Sequence, residues 1–292
     1  MGAADVVPGV SGGTIAFITG IYEELITSIS NINLDAFKKL KEEGIRSAWK
    51  HVNGNFFVAL ISGIAIAALS LSRVITYLLD NQPILVWSFF FGLILGSIQL
   101  ILKDIKKWDL LSVLGLLAGT GIAAYISLIH SVGTGGSLWY IFLSGAIGIC
   151  AMILPGISGA FILVLMGSYR TIMDGIKNFD IVLIAVFAFG CLVGILSFSR
   201  LLKYLFKHYE NLVLMILSGF LVGSLLTIWP WKNPIGDAPV VIHSDGKEDW
   251  MMGNVLPADY IGDSLLFYAL LAALIGYLLI VVMAKFAPKN SK

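Results

Sequence analysis

Asp5-Val-Val-Pro-Gly-Val-Ser-Gly-Gly-Thr14 breaks an otherwise apolar run, and Met152-Ile-Leu-Pro-Gly-Ile-Ser-Gly-Ala-Phe161 breaks another 147 residues later. Proline removes a backbone donor and glycine relaxes the backbone, so a helix cannot continue through either stretch. At bilayer depth such a break leaves bare amides and carbonyls, which are tolerated only where protein or a polar cavity covers them. Two breaks at matching places in two halves of a chain are the pattern of a transporter's binding site.

The rest of the sequence makes bilayer depth the right frame. Of 292 residues, 58% are hydrophobic and 13% charged, with a mean hydropathy of +0.91. Apolar stretches at about 56–79, 84–102, 110–130, 181–202, 211–229 and 264–286 are each long enough to cross a membrane. This composition excludes a soluble domain and a nucleic-acid-binding protein. No signal peptide is expected at the N-terminus. Cys150 and Cys191 form no Cys-x-x-Cys pair and read as small buried hydrophobes. His51, His130, His208 and His243 have no ligand spacing, so neither a metal nor any other cofactor is expected.

The repeat extends beyond the Pro-Gly motif. Gly20-Ile-Tyr22 recurs as Gly167-Ser-Tyr169 at the same offset of 147. After a basic interval the offset becomes 127, where Ser70-x-Ser72-Arg73 matches Ser197-x-Ser199-Arg200 and Gly92-x-x-x-Gly96 matches Gly219-x-x-x-Gly223. The glycine pairs read as close-packing helix faces, and Gln99, Thr120 and the paired serines as interhelical hydrogen-bonders. The first repeat spans 1–137, with a re-entrant hairpin at 1–30 and a basic segment at 31–55. The second spans 138–292, with a re-entrant hairpin at 138–176 and an acidic loop at 230–263. Placing every basic loop in the cytoplasm puts the C-terminus inside and the acidic loop outside. Each half then holds one re-entrant helical hairpin and three transmembrane helices. Three is odd, so the halves are inverted. The expected fold is an all-α polytopic membrane protein with an inverted-topology repeat. Seven residues precede the first Pro-Gly and seventeen the second (Leu138 to Leu154), while half a bilayer takes roughly ten helical residues. Either the first arm is stunted or the sequence starts at an internal methionine, and the second is the expectation.

Chemistry follows from the breaks. Ser11 and Ser158 stand where a helix restarts and are preferred N-caps. A restarted helix offers free N–H groups and its positive dipole end, which suit a phosphate or carboxylate. Ser11, Gly12, Gly13 and Thr14 at one tip and Ser158 and Gly159 at the other are the candidate binding residues. Arg73 and Arg200 occupy equivalent positions and would form a bidentate phosphate clamp, the bland alternative being guanidiniums reaching for the nearest headgroups. Arg170 at the outer mouth would greet an anionic headgroup. Asp5 and Glu23 are the candidate ion-coupling carboxylates, against the alternative of interfacial charges.

Gly2-Ala-Ala-Asp-Val-Val-Pro-Gly-Val-Ser-Gly-Gly-Thr14, followed by Gly20-Ile-Tyr-Glu23, resembles the signature of the PopT family of bacterial polyprenyl-phosphate transporters. The resemblance covers essentially the whole chain, including the second Pro-Gly-Ile-Ser-Gly copy. It implies a multi-pass protein of the bacterial cytoplasmic (inner) membrane. The implied task is to return undecaprenyl phosphate from the outer to the inner leaflet for envelope synthesis. It implies a lipid partner and no enzymatic reaction, and leaves coupling to protons or sodium and homodimer formation open. The rival readings are a channel or carrier for a small soluble anion and a lipid-phosphate hydrolase. The second lacks the paired histidines or metal cluster such an enzyme needs.

Overall fold

The computed structural model describes residues 1–2, 11–105, 107–128, 137–236, 241–242, 248–249 and 251–286. Asp5 and the first Pro-Gly turn lie outside them. The helices in chain order are α1 (Gly12–Ile18), α2 (Tyr22–Ser30), α3 (Leu34–Glu42), α4 (Ile45–His51), α5 (Gly54–Asn81) and α6 (Pro83–Asp104). They continue as α7 (Leu110–Leu128), α8 (Leu138–Ile153), α9 (Gly159–Leu165), α10 (Tyr169–Lys177), α11 (Ile181–Ser224) and α12 (Leu266–Phe286).

Among the described residues, five helices are long and apolar enough to cross a membrane: α5, α6, α7, α11 and α12. α11 counts as more than one pass. Its 44 residues would extend about 66 Å if straight, twice the thickness of a hydrocarbon core. The chain leaves helical geometry at Tyr209 (φ −136°, ψ 39°), which divides α11 into a limb over 181–208 and a limb over 210–224. These limbs fall where two spans are expected, at 181–202 and 211–229, and join through a kink. Val58, Ile61, Ile66 and Leu69 on α5 are exposed, as suits a helix whose solvent is lipid.

Three helix pairs hold the bundle, each through backbones brought close by glycine. A Cβ on Gly92 would lie 1.8 Å from the Ala273 carbonyl oxygen, and one on Gly96 would lie 3.2 Å from that of Tyr277, so α6 and α12 run parallel. A Cβ on Gly219 would lie 2.3 Å from the Leu116 oxygen and one on Gly223 2.6 Å from that of Thr120, so α7 runs parallel to the second limb of α11. Gly190 against Phe142 and Gly194 against Ala146 align α8 with the first limb in the same way. Without a hydrophobic driving force between helices in lipid, such approach supplies the dispersion contacts that hold them. The Gly92-x-x-x-Gly96 face thus packs on α12 and the Gly219-x-x-x-Gly223 face on α7. The Gln99 side-chain oxygen accepts from the Tyr277 hydroxyl across the α6–α12 pair. Thr120 and the serines at 70, 197 and 199 instead donate to carbonyls of their own helices. This corrects the expectation of interhelical bonds, because a helical hydroxyl reaches its own preceding turn more easily than a neighbour.

The basic 31–55 segment folds into α3 and α4. Neither buries a residue. Leu34, Phe37, Ile45 and Trp49 are exposed beside the lysines, the pattern of helices lying in a membrane interface. The acidic 230–263 loop is not wholly irregular. β1 (Lys232–Ile235) pairs antiparallel with β4 (Met251–Asn254), and β2 (Val241–Ile242) with β3 (Glu248–Asp249). The bundle is helical as expected, and this cap adds two short antiparallel strand pairs.

Candidate functional site

The two breaks are built alike after their turns. Ser11 caps α1, its Oγ accepting from the Gly13 N–H at 3.1 Å, and Ser158 caps α9, accepting from the Phe161 N–H at 3.4 Å. Both short helices then end in the same way. Ile21 N–H donates to the Ala16 carbonyl and Gly20 N–H to that of Phe17. Ser168 and Gly167 repeat these bonds to Leu163 and Val164. Gly20 (φ 75°) and Gly167 (φ 66°) supply the left-handed residue that this helix ending requires. α10 leaves α9 at 107°, so the segment after the second Pro-Gly turn is one short helix and a sharp bend.

The structure brings the two tips together. Ser11 Oγ donates to the Met152 carbonyl at 2.8 Å, and Thr14 Oγ1 accepts from the Gly156 N–H at 2.9 Å. A Cβ on Gly13 would stand 2.3 Å from the Ile153 carbonyl oxygen, so only glycine lets the segments cross this closely. Ser11 and Thr14 are buried, as are Gly12, Gly13 and Gly159. Gly159 approaches the Gly148 carbonyl, folding α9 back along α8. Gly156 (φ 79°) lies against the Phe220 carbonyl on the second limb of α11.

These contacts change the electrostatics expected of the tips. Both restarted helices have seven residues, so their dipoles are short. Gly13 and Gly156 already direct their N–H groups to hydroxyls, and the Thr14 N–H bonds the Ser11 carbonyl. Few donors remain for an anion at the crossing itself. Ser158 is different: half-buried, it lines a small cavity of about 10 Å³, room for about one water, with Ser127, Gly156, Phe161 and Thr227. The Ser127 and Thr227 hydroxyls lie 2.6 Å apart at its wall.

The charged candidates stand away from this crossing. Arg73 is exposed on α5, Arg170 is exposed in the first turn of α10, and Glu23 is exposed in the first turn of α2. Arg200 is exposed and donates to the Ile32 carbonyl at 3.3 Å. One turn on, Lys203 donates to Asn31 Oδ1 at 2.9 Å. Among the described residues no group of three or more potential metal ligands forms a metal site. Cys150 and Cys191 are half-buried free thiols.

Lys232, passed over in the sequence, contacts Thr227 of the cavity wall. Its ammonium donates to the Thr227 carbonyl and lies 4.9 Å from the centre of the Trp87 ring. Burial lowers its pKa to about 8. The visible signal was Trp229-Pro-Trp-Lys232, a lysine behind two tryptophans in a loop where carboxylates outnumber lysines.

A family model described as VCA0040-like, undecaprenyl phosphate translocase-like, matches residues 1–240. The chain belongs to this family. It is 45% identical over 235 residues to a polyprenyl-phosphate transporter of Vibrio cholerae, covering 80% of this chain and 76% of that one. It is 33% identical over 249 residues to a polyprenyl-phosphate transporter of Staphylococcus aureus, covering 79% and 83%. Both family relatives are named as transporters, not enzymes. No solved structure matches the chain.

Proposed function

We propose that this protein translocates undecaprenyl phosphate across the bacterial inner membrane from outer to inner leaflet, returning the carrier for envelope synthesis. The observation that carries the reading is the crossing of the two Ser-Gly tips at Ser11–Met152 and Thr14–Gly156. Moving a phosphate through hydrocarbon requires a polar locus at depth, and broken helices are how an α-helical bundle provides one. The repeated cap and bend geometry supports an inverted repeat with both tips near the midplane. So does the reciprocal packing of each Gly-x-x-x-Gly face on the other half. In this orientation the C-terminus is cytoplasmic.

Ser11, Gly12, Gly13 and Thr14 hold the crossing, while Ser158 presents the face that meets the headgroup and Gly159 lets its helix pack on α8. Arg170 receives it at the outer mouth and Arg200 at the inner one. Arg73 serves it from the lipid side of α5. Glu23 and Asp5 carry any coupling ion. The isoprenoid tail stays in lipid, where an open apolar groove lined by Trp139, Phe142 and Phe189 between α8 and α11 offers it contact.

The test is reconstitution of the full chain in liposomes carrying labelled undecaprenyl phosphate in one leaflet. Exchange should exceed that of empty liposomes for the phosphate lipid, and Ser158→Ala should slow it. Absence of exchange by folded protein overturns the reading. Flux of inorganic phosphate without polyprenyl lipid would replace it with a soluble-anion carrier, and phosphate release from the lipid with a hydrolase.

A further inference from the structure

We propose that Lys232 is the cation that first binds the phosphomonoester, on the outer side of the second tip. This rests on the transport reading above and gives that site a charge which the tips lack. Lys232 begins β1, and its ammonium lies between the Trp87 ring and the Thr227 carbonyl. Thr227 Oγ1 pairs with Ser127 Oγ, and both line the cavity that Ser158 borders. Cation, hydroxyl pair and tip are therefore contiguous.

Among the described side chains the ammonium has no carboxylate partner, and one carbonyl serves its three donors. Taking an ammonium out of water is costly unless an opposite charge meets it. A phosphate supplies that charge and accepts the remaining N–H groups. The surroundings hold the lysine in place. Trp229 Nε1 donates to the Val255 carbonyl, Trp231 Nε1 to that of Ser264 and Asn254 Nδ2 to that of Leu226, each at 2.8 Å. The neighbouring position on β4 is Asn254 itself, paired with Lys232 in the strand register. A cation fixed in advance loses less freedom on binding. Its lowered pKa accords with a site awaiting a counter-charge.

A purely structural alternative is a lysine capping the carbonyls at the end of α11. Ligand binding separates the two. Detergent-solubilised full-length protein is titrated with geranylgeranyl phosphate, geranylgeraniol and inorganic phosphate, following tryptophan fluorescence and heat. Wild type should bind the phosphate lipid and not the alcohol. Lys232→Gln should weaken that binding about tenfold or more and Lys232→Arg by only a few-fold, while unliganded Lys232→Gln unfolds at or above the wild-type temperature because a desolvated charge is gone. Wild-type binding with equal affinity in Lys232→Gln overturns the role of Lys232 and leaves the transport reading standing. Binding of inorganic phosphate alone, lost in Lys232→Gln, supports the cation site and overturns the lipid reading. Binding of neither by folded wild type overturns both.

Discussion

Thr14 Oγ1 accepts a 2.9 Å hydrogen bond from the backbone N–H of Gly156, joining two segments 142 residues apart. Thr14 is fully buried, and its hydroxyl supplies the acceptor for a backbone donor of half-buried Gly156. Thr14→Val keeps the shape and removes the acceptor. It should destabilise the protein by about 1–3 kcal/mol, the cost of a buried unsatisfied donor. Thr14→Ser should cost less. Thermal unfolding in detergent measures both, and an unchanged Tm for Thr14→Val would show that the tips do not depend on each other.

The glycine faces predict a sharper contrast. Gly92→Ala and Gly219→Ala place a methyl group 1.8 and 2.3 Å from backbone oxygens and should each cost about 1–3 kcal/mol through forced helix separation. Gly63 has nothing within 4 Å of the same added atom. Gly63→Ala should be neutral or stabilising by about 1 kcal/mol, since it only improves helix propensity. Equal effects at the three positions would refute the packing.

Ser127 and Thr227 pin α7 to the segment following α11 at the cavity wall, their hydroxyl oxygens 2.6 Å apart. Cysteines at both positions, in a background lacking Cys150 and Cys191, are close enough for a disulfide. Oxidation should abolish leaflet exchange and reduction should restore it, if headgroup entry requires this wall to part. Full exchange in the oxidised protein would place the entrance elsewhere.

Lys232 sets the pH dependence. Its ordinary pKa is 10.5 and burial lowers it to about 8, so headgroup affinity should fall as pH rises through about 8. Between about 8 and 10.5 the unfolded chain binds more protons than the native one, so stability should rise with pH across that window. Below it both states are protonated and the slope vanishes. Asp259, Tyr260 and Asp263 on the same loop and Lys103 at the far end of α6 do not contribute to the shift, which comes from desolvation. Titrating binding and Tm against pH in wild type and Lys232→Met checks both signs. A wild-type profile matching the variant's would remove Lys232 from the account.

Much of this was legible in the chain. Proline, glycine and serine at Pro155–Gly159 dictate a helix break and restart through local backbone geometry, so the caps at Ser11 and Ser158 followed from sequence. The bends at Gly20 and Gly167 mark the same local rule, since a left-handed residue there needs no distant partner. Span lengths followed from the run of apolar residues against a fixed bilayer thickness, and the Gly-x-x-x-Gly faces from the absence of side chains. These are properties of neighbours in the chain. What meets across 142 residues is not. That Thr14 would spend its hydroxyl on Gly156, that Arg200 would reach for the Ile32 carbonyl, and that Lys232 would come to rest on Trp87 beside the second tip depend on which helices pack together. The Asp5–Thr14 stretch thus told by itself that a helix must break. Only the packing of α1 against the end of α8 decided that its serine and threonine would be fastened to Met152 and Gly156, because those contacts join residues far apart in the chain.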